Sequence, residues 1–274
     1  TLLIFILIRL APGDPVQLLL GQSAEVASSD TRAYDQRVTE LREQLGLDRH
    51  WAAQYVSWLQ RLLQLDLGDS IHTGRPVGLE IAERLPATAV LSVAALAIQV
   101  ALGLFLGTVS ALKAGDMRDQ VIRFACVALA STPAFVIGLA LLSLFAVTLG
   151  AYEISSDAGP ARLWLPALTL GLIGAPQLIR LVRAHLLSEL GRTYVLSAMS
   201  RGLDRKRVVR HALRNALLPI VTVAALSLAT LIGGAVVIES VFAWPGLGQY
   251  ALDSILMKDY LVIQGYALIM VSLA

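Results

Sequence analysis

Apolar and polar positions fall into long blocks along this chain rather than alternating over short distances. Residues 85–112 run for 28 positions without a charge, and 124–152 for 29 more; 163–179 gives 17 and 215–238 gives 24. A helix crosses the roughly 30 Å hydrocarbon core of a bilayer with about 20 apolar residues. Each run therefore predicts a membrane-spanning helix, the third extended through Leu181 and Val182 with Arg180 snorkelling to the surface. Residues 1–8 (TLLIFILI) and 260–274 predict a partial first and a partial last span, six in all. The predicted fold class is all-α, a polytopic helical bundle. The predicted organisation is the end of a first span at 1–10, an extracytoplasmic helical region at 11–84 and a transmembrane domain at 85–274. The domain's main cytoplasmic loop covers 188–214.

The polar blocks set the orientation. Between Arg180 and Arg214 nine Lys/Arg face two acids, Glu189 and Asp204, and Lys113, Arg118 and Arg123 mark the short loop between the second and third runs. Positive loops stay on the cytoplasmic side, and strict alternation of six spans puts these two loops together there. Residues 11–84 carry seven Lys/Arg against eleven Asp/Glu and fall on the outer side. Two helices are expected in that region. One starts at Asp30 with Val38, Leu41 and Leu45 at helical spacing, ending at Gly46. The other covers WAAQYVSWLQRLLQL, with Trp51, Tyr55, Trp58, Leu59 and Leu62 as an apolar stripe.

Composition agrees with a lipid solvent. The chain is 56% hydrophobic and 15% charged, with a mean hydropathy of +0.69, whereas soluble domains carry about 25% charge. The single cysteine, Cys126, excludes an internal disulfide and reads as a buried spacer. The charge-free runs lack ionisable groups of the kind that ion-driven transporters use as relays. Lys113, Lys206 and Lys258 follow Leu, Arg and Met, so no Walker A loop is present to cradle ATP. No catalytic residue emerges: Ser131 and Ser143 have no histidine near them, His185 and His211 sit at the cytoplasmic edge, and His50 and His72 lie outside. The last two also lack metal-ligand spacing. Polar residues within the runs, such as Gln99, Thr132, Thr169, Thr222 and Ser227, are expected to bond their own helix or a neighbour. Gly103 and Gly107 permit close helix approach, and Pro133 and Pro176 predict kinks.

Residues 196–219, LSAMSRGLDRKRVVRHALRNALLP, concentrate the positive charge. Residues 188–201 are helix-compatible, Gly202 supplies a stop, and Asp204 is expected to cap a second helix. In that second helix Val208, Val209, Ala212 and Leu213 share a face, with Arg205, Lys206, Arg207, Arg210 and Arg214 mostly elsewhere. The pattern is helix–glycine–helix, and the small Ser197, Ala198 and Ser200 allow close approach to the backbone. On charge alone, a loop that only sets topology or touches anionic lipid fits equally well. A DNA-reading helix pair pinned between spans has no reach.

The particular residues resemble the EAA loop of ABC importer permeases, in the variant found in dipeptide, oligopeptide and nickel permeases. FAWPGLGQYALDSILMKDYLVIQG (242–265) is similar to that family's Trp-Pro-Gly-Leu-Gly signature. APGDPV at 11–16, LGLD at 45–48, DLGDS and GRPV within 66–77, LPAT at 85–88 and RHALRNALLPIVT at 210–222 match as well, in order over nearly the whole chain. Met199 departs from a usual basic residue, and Leu261 from a usual proline. The resemblance implies a non-catalytic inner-membrane subunit of a bacterial ATP-driven importer. It implies a second, similar permease chain, two cytoplasmic ATP-binding subunits that hold the ATP and magnesium, and an extracytoplasmic substrate-binding protein, with no nucleic acid. Carried over residue by residue, Ser197, Ala198, Gly202 and Leu203 form the docking turn for the ATPase, with Arg201 and Arg205 beside it. Trp244, Pro245, Gly246, Gly248, Asp259 and Tyr260 carry the signature. Implied cargoes are small peptides or nickel and its chelates, and IGGAVVIESVFAWPGLGQYALDSI leans toward the nickel branch. The competing reading is a stand-alone channel or secondary transporter.

Overall fold

In a bilayer, backbone N–H and C=O groups have no water to bond, so apolar segments satisfy them internally as helices. The computed structural model describes residue 6 and residues 39–40, 50–64, 66–154 and 158–273. The expected first partial span and the helix from Asp30 lie almost entirely outside these residues, as does the side chain of Trp51. The helices are α1 (Trp51–Leu63), α2 (Val77–Leu112), α3 (Met117–Ser131), α4 (Ala134–Leu142, continued by a π turn Ser143–Thr148), α5 (Pro160–Leu190), α6 (Thr193–Ser200), α7 (Arg205–Phe242), α8 (Leu247–Leu256) and α9 (Tyr260–Leu273). Among the described residues α2, α5 and α7 are long and apolar enough to cross a membrane, and α3 with α4 makes a fourth if the bent pair is one span.

Two expectations on helix extent change. The run 124–152 is not one helix: it breaks at Thr132–Pro133 and the two halves meet at 103°. Proline lacks an N–H and pushes the preceding residue out of the helical region, and Thr132 sits at φ −94°, ψ 129°. α2 begins at Val77, ahead of the charge-free run, and takes in Glu80, Glu83 and Arg84.

The chain divides into two compact units, Ala87–Gly248, and Thr1–Pro86 with Gln249–Ala274. In the first, the buried core joins Leu91 and Ala95 of α2, Leu165 and Leu170 of α5, and Leu231, Ala235, Ile238 and Phe242 of α7. α5 is the most enclosed of the long helices, with 61% of its apolar window buried against 22% for α7. Gly103 and Gly107 bring α2 onto it: a Cβ at either would come within 2.6 Å of Leu178 or Val182. Leu218, Val221 and Leu226 of α7 point outward, as a helix facing lipid does. Cys126 is buried.

In the second unit, Asp259 fastens the loop before α2 to the start of α9. Its carboxylate accepts from Ser70 Oγ (2.6 Å) and Ile71 N–H (2.9 Å). Arg84 lies over the Tyr250 ring at 4.1 Å, and Gly265 packs against Val77. The α1 stripe is present in Trp58, buried, and Tyr55, Leu59 and Leu62, half-buried.

Candidate functional site

Two places in the Ala87–Gly248 unit gather the residues singled out by sequence. One is the basic elbow. The helix expected over 188–201 is two helices, because α5 ends at Leu190 with Gly191 as its cap and α6 starts at Thr193. A side-chain chain holds the break together. Tyr194 Oη donates to Glu189 Oε2 (2.9 Å) and accepts from Asn215 Nδ2 (3.2 Å), linking α5, α6 and α7. Burial pushes the Tyr194 phenol up from its ordinary value.

At the far end of α6, Gly202 adopts φ +78°. Its N–H bonds Met199 O (2.9 Å) and the Leu203 N–H bonds Ala198 O (3.1 Å), the paired closure of a Schellman stop. Glycine suits the turn because a left-handed conformation strains other residues. Space is not the reason, since nothing lies within 4 Å of where its Cβ would be. Asp204 occupies the N-cap position of α7, but its side chain makes no capping bond. Its carboxylate acts there through charge near the helix N-terminus alone, while its backbone carbonyl accepts from Arg207 and Val208.

The expected faces of α7 are present: Val208 and Ala212 are buried, Val209 and Leu213 half-buried, and Arg205, Lys206, Arg207, Arg210 and Arg214 exposed. Ser197 and Ser200 donate back to their own helix, at Thr193 O and Leu196 O. Ser197, Ala198, Arg201 and Leu203, four of the six candidate coupling residues, line a cavity of about 380 Å³ closed by Tyr194, Val208 and His211. Gly202 and Arg205 are exposed beside it.

The other place is the Trp-Pro-Gly-Leu-Gly segment, and it is closed. α7 ends at Phe242, Ala243 turns the chain at φ 49°, and Trp244 folds back, its N–H on Glu239 O (2.8 Å) and its indole Nε1 on Ala87 O (3.0 Å). At the centre sits Glu239, 0% exposed. Thr88 Oγ donates to Glu239 Oε1 (2.6 Å), Gly248 N–H to Oε2 (2.6 Å), and Leu247 N–H to Thr88 Oγ (2.8 Å). Glu239 and Thr88 thus satisfy the first amides of α8, which lack partners in their own helix. The two glycines are required by contact: a Cβ on Gly246 would meet the Glu239 carboxylate at 2.3 Å, and one on Gly248 would meet Val236 Cα at 2.4 Å. Pro245 is half-buried. Asp259 and Tyr260 belong to the other unit.

Glu239 and Thr88 were not among the sequence candidates. Glu239 falls one residue past the charge-free run, yet Ala235, Ile238, Glu239 and Phe242 share one buried face, and that spacing was the available signal. Asp119 is a second buried acid of this kind. It takes Arg183 in a two-pronged pair (2.8 and 2.7 Å), with Ser110 Oγ and the Gly115 N–H as further donors. Within the bundle, Gln99 reaches Gly174 O (3.2 Å) and Ser227 Oγ (3.3 Å), joining three helices. Among the described residues no three His, Cys, Asp or Glu side chains gather to hold a metal ion.

Comparison with known proteins gives the arrangement its context. Residues 87–274 match the family model described as "Binding-protein-dependent transport system inner membrane component". The chain is 36% identical to the di/tripeptide transport system permease protein DppB of Pseudomonas aeruginosa, over 100% of this chain and 88% of that protein. It is 37% identical to the glutathione transport system permease protein GsiC of Pectobacterium atrosepticum, over 97% of this chain and 85% of that one. Among solved structures, the inward-facing MetNI methionine ABC transporter superposes with a TM-score of 0.51 at 18% identity, covering 71% of this chain and 96% of that chain.

Proposed function

The chain belongs to the family of binding-protein-dependent transport system inner membrane components, and from that premise we propose that it forms half of an importer's path for small peptides. As a permease subunit of an ABC importer it is not an enzyme; ATP hydrolysis lies in separate subunits. Family membership also implies ATP-binding and substrate-binding partners. Peptide is the proposed cargo because the compared relatives are named for di/tripeptides and for glutathione, itself a tripeptide. The second half of the path is a similar but different permease chain, and two ATP-binding subunits, carrying ATP and magnesium, sit beneath the pair in the inner membrane.

Coupling runs through the elbow. Ser197, Ala198, Arg201, Gly202, Leu203 and Arg205 form the surface on which an ATP-binding subunit seats. ATP binding draws the two ATP-binding subunits together, and the seated elbows follow. α7 continues from the elbow as one helix of 38 residues, so displacement at its base reaches the spans. Tight seating is insufficient by itself; the contacts must differ in free energy between the inward- and outward-facing states. The observation that carries this reading is the exposed Gly202 turn with its cationic flanks. A loop that only set topology would need the charge but not a tied, glycine-closed hairpin.

Reconstitution in liposomes tests it. With the second permease, the ATP-binding subunits and the binding protein present, uptake of a labelled di- or tripeptide should require both ATP and the binding protein. Flux through this chain alone, indifferent to ATP, would establish the channel reading instead.

A further inference from the structure

Resting on that reading, we propose that the elbow receives as well as inserts: a bulky apolar side chain flanked by carboxylates, from the ATP-binding subunit, enters the cavity between α6 and the base of α7. The cavity's walls argue for it. Tyr194, Ser197, Ala198 and Arg201 recur at helical spacing, so they are one face of α6, and Val208 and His211 are one face of α7. Leu203 closes the end between them. The interior is therefore mainly apolar, with Tyr194, Ala198, Leu203 and Val208 as its walls and Ser197, Arg201 and His211 as polar lining.

Size selects the occupant. About 380 Å³ lies near the bottom of the roughly 300–1,000 Å³ range of ligand sites. That is room for one or two side chains and too little for a helix. Charge selects its surroundings: Arg201 lines the cavity, and Arg205, two residues beyond the lining Leu203, is exposed, so an occupant flanked by acids is attracted and one flanked by bases repelled. An apolar anchor in a pocket with charged residues at its rim is the arrangement in which a few residues dominate an interface. It also explains why the elbow is a hairpin. A side chain lodged between α6 and α7 transmits push as well as pull, because it bears on both helices.

The test separates the cavity from the outer face of α6, where Leu196 and Met199 are exposed. Ala198→Cys, Leu196→Cys and Met199→Cys are each introduced singly, with the buried Cys126 replaced by serine. Maleimide labelling is measured in membranes containing the whole transporter and in membranes lacking only the ATP-binding subunits. Protection of Ala198→Cys by about tenfold or more on assembly is expected, because a seated anchor and the contacts around it exclude water, and with it the reagent. Ala198→Trp, which fills the space, should remove the ATP-binding subunits from the purified complex while leaving the permease in the membrane. Protection of Leu196→Cys and Met199→Cys without Ala198→Cys, together with normal assembly of Ala198→Trp, overturns the cavity proposal and leaves the coupling surface intact. Protection at none of the three overturns both.

Discussion

The Trp-Pro-Gly-Leu-Gly segment and the basic elbow both match family patterns, but they are built in opposite ways. The first closes on its own side chains: Glu239 is fully buried, its two oxygens take donors from α2 and α8, and Gly246 and Gly248 are glycines because the carboxylate and the α7 backbone occupy the space. The second opens outward: Gly202 meets nothing, its flanking arginines face solvent, and a cavity lies behind it. On the proposed function, one segment is specific because it holds the chain together and the other because it meets another molecule. In the closed segment a glycine answers to crowding, and in the open elbow to backbone conformation.

That contrast is open to attack by substitution. Gly248→Ala should have the largest effect on the fold, since its Cβ meets backbone that has no rotamer to change; overpacking costs about 1–3 kcal/mol and occasionally more, and a rigid backbone contact belongs at the upper end. Loss of the protein from the membrane is the expected outcome, and normal abundance would mean the segment is not closed. Thr88→Val comes next. It removes one donor from the Glu239 carboxylate and strands the Leu247 N–H, a buried group that costs about 1–3 kcal/mol when unpaired, and lowered thermal stability in detergent would register it. Gly202→Asp should cost about 1 kcal/mol, because aspartate tolerates the left-handed region better than most residues, so the protein still reaches the membrane. Met199→Lys, on the exposed face of α6, should change stability by less than about 0.5 kcal/mol and leave uptake intact.

Much of this contrast is legible in the sequence. The four long runs, the loop charges and the helix–glycine–helix elbow follow from hydropathy and from the αL preference of glycine. What escaped did so for definite reasons. Ending each run at its first charge hid Glu239 and Asp119, since buried acids with designated donors are cheap only once the fold supplies those donors. Pro133 signalled a bend, but its 103° size depends on where the two halves find neighbours. Asp204 stands where a capping side chain belongs and makes no capping bond, a rotamer matter that spacing does not encode. The break carried a signal in Gly191, a glycine of the kind that ends helices, which the helix-forming residues on either side of it outweighed.

The most direct test of the account is the coupling ratio of Gly202→Asp in the assembled, reconstituted transporter: peptide taken up per ATP hydrolysed, at matched membrane abundance. Uptake should be abolished and hydrolysis should no longer respond to the loaded binding protein, with the permease still folded. Wild-type uptake with wild-type stimulation in that variant would contradict it.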